Sequence, residues 1–303
     1  MQIFNTIKKT EYNTAVALGF FDGVHKGHQA VINTCKTNKK SDEKLAVFTF
    51  KNSPYNMLSD TTKPLLTTNE EKFELLKSLG VDIVFCVDFN EVKNLTAESF
   101  VCDIILDKIG AKTITTGFNY HFAKGGTATS DDLKLLCESS SVNVHICDPV
   151  MFENEAISST RIRNCIQNGD IKSANSMLGY NFSIKSEIHS GNHIGTKLNS
   201  PTINQSLTDS LVLPKFGVYA TKVTVDNNTY LGATNIGIHP TVGKTVPLCE
   251  THLLNYTGAE LYGKYAVTEL LHFIRAEKEF DNIDSLKSQI KEDIKNIKSL
   301  FKI

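Results

Sequence analysis

The chain changes rhythm near its middle, and no other feature of the sequence constrains the fold as strongly. Up to about residue 150, short runs rich in Val, Ile and Phe alternate with helix-like segments; the runs are "TAVALG", "KLAVFTF", "VDIVFCV", "AKTITTG" and "VNVHIC". That alternation is the pattern of a parallel sheet with crossover helices. From about Phe182, strand-like runs follow one another without helices between them: "FGVYATKVTV", "YLGATNIG", "ETHLLNY" and "YAVTELLHFI". Gly, Pro and Asn turns separate them, which suggests an antiparallel barrel or sandwich. An amphipathic helix from about Ile283 closes the chain. Two domains are expected, 1–181 and 182–303, and 303 residues with 41% hydrophobic content can supply a core for each.

Helix punctuation supports this division. In "TNEEKFELLKSLG", Asn69 is placed to cap the first turn, Phe73, Leu76 and Leu79 form an apolar stripe, and Gly80 ends the helix. "LTAESFVCDIILDKIG" repeats the plan with Thr96 and Gly110. "SSTRIRNCIQNGDIKSANSMLG" reads as two short helices broken at Asn168-Gly169. With 32 Lys and Arg against 33 Asp and Glu, the formal charge of -1 offers no basic surplus for nucleic acid or an anionic membrane. No run approaches the roughly 18 apolar residues of a membrane span, and "MQIFNTIKKTEYN" lacks an apolar signal core. The seven cysteines are odd in number, form no C-x-x-C pair and lie mostly in apolar runs. They read as reduced core residues, and a cytoplasmic location is expected.

"GFFDGVHKGHQAV" places His25 and His28 three residues apart at a strand-to-helix turn. In an open parallel sheet that turn lies at the carboxyl ends of the strands, where ligands bind. A helix N-terminus there offers N–H groups and positive dipole to an anion, and Gly23 and Gly27 allow close backbone approach. Two imidazoles could donate hydrogen bonds to a phosphate as charge builds in an in-line displacement. A glycine-containing turn whose histidines cap and pack is the structural alternative. "ISSTRIR" adds hydroxyls from Ser158, Ser159 and Thr160 and planar cations from Arg161 and Arg163, together suited to a phosphate clamp or to a plain capped helix.

Taken with "TTGFNYHFAKGGTAT", these stretches stand in the order and spacing of the three signature segments of the FMN adenylyltransferase module of bacterial bifunctional riboflavin kinase/FAD synthetases, which the chain resembles. The resemblance implies a Rossmann-like nucleotidyltransferase fold. It implies that His25 and His28 contact the ATP phosphates and stabilise adenylyl transfer, and that Ser159, Thr160 and Arg161 hold the triphosphate. Asn119 would lie in the nucleotide or flavin pocket, with Gly19, Phe21, Asp22 and Gly27 around it.

In the second half, "GTKLNSPTINQSL" puts Thr202 and Asn204 on one face if extended, and "CETHLLNY" puts Glu250 and His252 on one strand face with Leu253 on the other. A hydroxyl and an amide oxygen can ligate Mg²⁺ with ATP phosphates, and a carboxylate can take the proton of an attacking alcohol. The same residues fit a solvated strand equally well. The succession "GTKLNSPTIN", "FGVYA", "NIGIHPTVG", "ETHLLNY", "LYGK" and "FIRAEKEFDNIDSLKSQIKED" resembles the riboflavin kinase module, terminal helix included. It implies a small antiparallel β-barrel with a C-terminal helix, in which Thr202 and Asn204 bind Mg²⁺ and ATP and Glu250 is the base on the ribityl 5′-hydroxyl. Gly191 and Gly195 would belong to the ATP loop, and Arg275 would lie near the flavin end.

The chain departs from the family's usual pattern in several places. "FKNSP" has Ser53 for a His and Lys51 for an acid, Asn119 stands for an acid, and Gly126 for a common Arg. Thr196, Asn199 and Ile203 replace the more usual Arg, Gly and Ala of the kinase loop. The resemblance implies riboflavin, FMN, FAD and ATP as partners, while protein partners are not legible. Two alternatives remain: a flavin-binding regulator or kinase-only protein with a degenerate first half, and a nucleotidyltransferase for another alcohol phosphate.

Overall fold

The computed structural model describes residues 1–189, 202–241 and 244–302, which form two compact units, Met1–Ser159 and Thr160–Ile303. The first unit runs β1 (Gln2–Phe4), β2 (Asn13–Leu18), α1 (Lys26–Asn38), β3 (Glu43–Phe50), α2 (Pro54–Leu58), α3 (Asn69–Ser78), β4 (Ile83–Val87) and α4 (Ala97–Ser99). α4 continues into a wider-wound helix at Phe100–Lys108. Then come β5 (Ala111–Gly117), β6 (His121–Phe122), β7 (Ala128–Thr129), α5 (Ser130–Cys137), β8 (Asn143–Cys147), β9 (Met151–Phe152) and β10 (Glu155–Ala156). All five strands expected from the apolar runs are present. β1 is an addition that pairs parallel with β4 through a three-residue register, Gln2 to Phe4 against Ile83 to Phe85.

The main sheet has the order β1-β4-β3-β2-β5-β8 and is parallel throughout. Such a sheet must be covered on both faces, and the period-two side-chain alternation does this. Val16, Leu18, Ala46, Phe48, Ile83 and Phe85 face one cluster with Phe100, Val101, Ile105 and Leu133. Ala15, Ala17, Leu45, Val47 and Val84 face another with Val31, Ile32, Cys35 and Leu76. The chain passes from β2 outward through β3 to β4, then returns to place β5 on the other side of β2. The topological switch point therefore lies at the carboxyl ends of β2 and β5, where an open α/β sheet leaves a crevice.

The α3 start differs from expectation. Thr68, not Asn69, is the N-cap: its hydroxyl accepts from Glu71 N at 3.2 Å and the Glu71 carboxylate accepts from Thr68 N at 2.8 Å. The reciprocal capping box satisfies two orphan donors, whereas Asn69 instead donates to the Lys51 carbonyl. The cysteines also divide: five are buried, Cys165 is half-buried and Cys102 is exposed, because Cys102 falls on the outer face of its helix.

The second unit holds α6 (Ser159–Asn168, whose first residue ends the first unit), α7 (Ile171–Leu178), and the strands β11 (Ser183–His189), β12 (Thr202–Ser206), β13 (Gly217–Val225), β14 (Asn228–Thr241), β15 (Lys244–Leu253) and β16 (Tyr265–Ala276), followed by α8 (Ile283–Phe301). The strands close an antiparallel barrel in the order β11-β12-β15-β14-β13-β16. Ile188, Ile203, Val223, Val225, Leu253 and Ala266 fill part of its interior. α8 covers an outer patch of Ala220, Leu231, Ala233, Leu254 and Ile274 with Ile294, Ile297 and Phe301. No described helix is long and apolar enough to cross a membrane.

Candidate active sites

The first site is built on the turn after β2. Phe21 takes a left-handed backbone (φ 57°) although it is not glycine, a conformation costing roughly 1 kcal/mol that packing must hold. Its ring folds back so closely that a Cβ on Gly19 would lie 3.0 Å from it, and its edge meets His28 at 5.2 Å between centroids. Asp22 is 4% exposed and ties the turn to a neighbouring loop. Its Oδ1 accepts from Leu66 N at 2.8 Å, and its carbonyl accepts from Ser159 Oγ at 3.0 Å.

His25 is the N-cap of α1, its Nδ1 accepting from His28 N at 3.3 Å. That bond uses the Nδ1 lone pair, so the proton of the neutral ring sits on Nε2. The two imidazoles stack 3.6 Å apart at 16°, and Gly27 permits it: a Cβ there would stand 3.1 Å from the His25 ring. His28 Nδ1 is buried with no hydrogen-bond partner among the described residues. Burial first, then His25 and the Lys72 ammonium, hold the His28 imidazole well below its ordinary 6.5. A neutral ring with an unsatisfied polar atom at a helix N-terminus is suited to an incoming phosphate.

Asn119 sits exposed in the turn after β5, across the switch point from this turn. Its Oδ1 would lie 3.5 Å from a Cβ on Gly117, and its carbonyl lies 3.0 Å from His121 Nδ1. The structure thus brings together Gly19, Phe21, Asp22, His25, Gly27, His28 and Ser159. Thr160 and Arg161 continue the first turn of α6 in the second unit.

Lys72 escaped the sequence reading. It is 3% exposed, donates to the Phe50 carbonyl at 3.1 Å and to Thr49 Oγ1 at 3.4 Å, and lies over the Phe20 ring at 4.9 Å. The available signal was its spacing four residues before Leu76, which puts it on the buried side of α3. Of the departures, Ser53 serves as the N-cap of α2, accepting from Asn56 N at 3.3 Å.

The second site lies on the outer face of the barrel. Asn204 is directly opposite Glu250, and Thr202 opposite His252, in the β12–β15 ladder. Glu250 is also opposite Asn235 on β14. Their neighbours Ile203, Thr251 and Leu253 are buried inward, so Ile203, where Ala is usual, changes the interior and leaves Thr202 and Asn204 on the outer face. Asn204 is 4% exposed and Glu250 half-buried. Gly191, Gly195, Thr196 and Asn199 lie outside the described residues. Arg275 is engaged by α8: Nε donates to Asp293 Oδ1 at 3.0 Å and Nη2 to Oδ2 at 2.8 Å.

The barrel interior is partly polar. The Thr221 and Thr234 hydroxyls meet at 2.7 Å, and those of Thr234 and Thr251 at 2.8 Å, all three side chains fully buried. This chain of hydroxyls pins β13, β14 and β15 in one register, and Thr251 adjoins Glu250.

Similarity to known proteins coincides with the two units. A family model described as FAD synthetase matches residues 7–161, and one described as riboflavin kinase matches residues 178–301. A Listeria monocytogenes protein named bifunctional riboflavin kinase/FMN adenylyltransferase is 34% identical over 297 residues, covering 96% of this chain and 94% of its own. Proteins of the same name from Bacillus subtilis and Escherichia coli K12 are 34% and 30% identical, over 95% and 99% of this chain and 92% and 96% of their own. A crystal structure described as a macrolide-efflux protein from Streptococcus pneumoniae has a TM-score of 0.89 at 29% identity, covering 97% of this chain and 98% of that one. The chain belongs to the bifunctional riboflavin kinase/FMN adenylyltransferase family.

Proposed function

We propose that the barrel phosphorylates riboflavin with ATP to give FMN and ADP, and that the parallel-sheet unit adenylylates FMN with a second ATP to give FAD and pyrophosphate. The observation that carries the reading is the presence in one chain of both constellations, the H-x-G-H turn at the switch point and the Asn204–Glu250 pair on the barrel. Full-length similarity to proteins named for both activities supports it. The same relatives offer nothing in favour of a regulator or a kinase-only protein.

At the barrel, the Glu250 carboxylate accepts the proton of the ribityl 5′-hydroxyl as that oxygen attacks the γ-phosphorus and ADP departs. Thr202 and Asn204 supply neutral oxygens two residues apart on one strand face, a donor set of the hard type that Mg²⁺ takes. Bound there with ATP, Mg²⁺ would offset phosphate charge. At the other site the FMN phosphate oxygen attacks the α-phosphorus and pyrophosphate leaves. His25 and His28 donate to the phosphate oxygens, the N-terminus of α1 adds its dipole, and Ser159, Thr160 and Arg161 hold the departing diphosphate. Asn119, Gly19, Phe21, Asp22 and Gly27 shape the nucleotide or flavin pocket, Gly191 and Gly195 the ATP loop of the kinase. Arg275 acts at the flavin end through the helix it anchors. The reaction is expected in the cytoplasm.

A chromatographic time course of riboflavin with ATP and Mg²⁺, run beside one started from FMN, tests the reading. FAD in both supports it; FMN accumulating in the first with none converted in the second refutes the adenylylation half. Glu250→Gln is expected to abolish FMN formation while sparing FAD synthesis from FMN, and His28→Ala to do the reverse.

A further inference from the structure

We propose that Lys72 is a positioning residue for adenylyl transfer, its buried ammonium fixing the turn before the H-x-G-H segment and lending that site a positive charge. The inference rests on the adenylylation reading above.

The tether is short. Lys72 Nζ donates to Thr49 Oγ1 at 3.4 Å, and Thr49 Oγ1 in turn donates to the Phe20 carbonyl at 2.8 Å. Nζ also donates to the Phe50 carbonyl at 3.1 Å, at the carboxyl end of β3 beside the end of β2. An ammonium has three donors, and the two acceptors it meets are neutral. Thr49 is fully buried and Lys72 nearly so. Burying a lysine whose hydrogen-bond acceptors are neutral costs stability, a cost that the charge of Asp22 offsets in part. The charge has a use where it sits: it adjoins a turn held at left-handed Phe21 and interacts with the stacked His25–His28 pair.

The titratable and charged groups around His28 are His25 at the start of α1, Asp22 in the preceding turn and Lys72 from α3, with Cys35, Cys86 and Cys147 in the same buried cluster. Burial lowers the pKa of Lys72, and Cys86 and Asp22 oppose the shift. Lys72 in turn adds to the burial and His25 effects that lower His28. A neutral His28 offers one ring N–H to phosphate, and Lys72 adds the smallest of the three effects that favour that neutral form. Removing the charge is expected to move the protonation midpoint of His28 upward, with burial and His25 still holding it down.

The test measures FAD formation from FMN, ATP and Mg²⁺ across pH with the full-length protein, for wild type, Lys72→Met and Lys72→Arg. Riboflavin phosphorylation by the second unit is the internal control. Lys72→Met is expected to lose about tenfold or more in kcat, and its acid-side inflection is expected at higher pH than in wild type. Lys72→Arg should keep the wild-type inflection and restore part of kcat. An unchanged kcat and inflection in Lys72→Met overturns the proposal. Should Lys72→Met fail to fold its first unit, Lys72→Arg decides: a wild-type inflection with FAD formation supports the role of charge, and a folded but inactive protein overturns it. No FAD from wild type would instead refute the adenylylation reading itself.

Discussion

Replacing Arg275 with Met should loosen the terminal helix and, through it, the kinase face of the barrel. The guanidinium meets Asp293 through Nε at 3.0 and 3.2 Å and through Nη2 at 2.8 Å, and Gln289 Nε2 adds a bond to the same carboxylate at 3.0 Å. The side chains are 16% and 5% exposed, so the anion is the more deeply buried partner. Removing the cation strands that anion with one amide donor, at a cost of about 3–4 kcal/mol. For a unit of this size that is roughly 10 °C in Tm. Asp293→Asn leaves the less buried, rehydratable partner and should cost about 1–2 kcal/mol. The double variant strands no charge, and it should be more stable than Arg275→Met alone by about 1–2 kcal/mol. Chemical denaturation of the four proteins, following the second unit's transition, gives the cycle. α8 rests on Ala233, which is opposite His252 and two residues from Asn235, the partner of Glu250. FMN formation should therefore fall with occupancy of the helix while FAD synthesis from FMN is spared. A loss below about 1 kcal/mol for Arg275→Met, or strictly additive single variants, would refute the reasoning.

Other expectations follow from the same contacts. Thr234→Val breaks both hydroxyl contacts of the buried threonine chain and should cost about 1–3 kcal/mol; urea unfolding measures it. Gly232→Ala would set a Cβ 2.6 Å from both Thr221 Oγ1 and Thr251 Cγ2, an overpacking of about 1–3 kcal/mol. Its denaturation midpoint should fall with an unchanged m-value. Thr68→Ala removes the capping box of α3 and should cost about 1 kcal/mol, read from the first unit's transition. His28 is depressed in the folded state, so the unfolded chain takes up its proton first as pH falls below 6.5. Its contribution to stability is present above that value and is lost as pH drops toward the folded-state midpoint. A His28→Asn variant should show a shallower acid limb of stability, and an identical limb would count against the depressed imidazole.

Local pattern determined much of this protein. The period-two runs "TAVALG" and "KLAVFTF" specify strands buried on both faces, and the helices broken at Asn168-Gly169 end where a residue with no Cβ can take φ 81°. The strand-only second half specifies antiparallel pairing, and the two-residue alternation alone puts Thr202 on the same strand face as Asn204 and Glu250 on the same strand face as His252. Asn69 and Thr68 were not separable in this way, since both are good caps and only the returning Glu71 carboxylate distinguishes them. What tertiary structure alone decided are the contacts between residues distant in sequence. Strand pairing in the barrel puts Asn204 against Glu250, packing of α8 on the barrel puts Asp293 against Arg275, and crossover packing puts Lys72 beside Thr49 and Phe50. No periodicity encodes such pairings, because they depend on which strands become neighbours and on how deeply a charge is buried when they do.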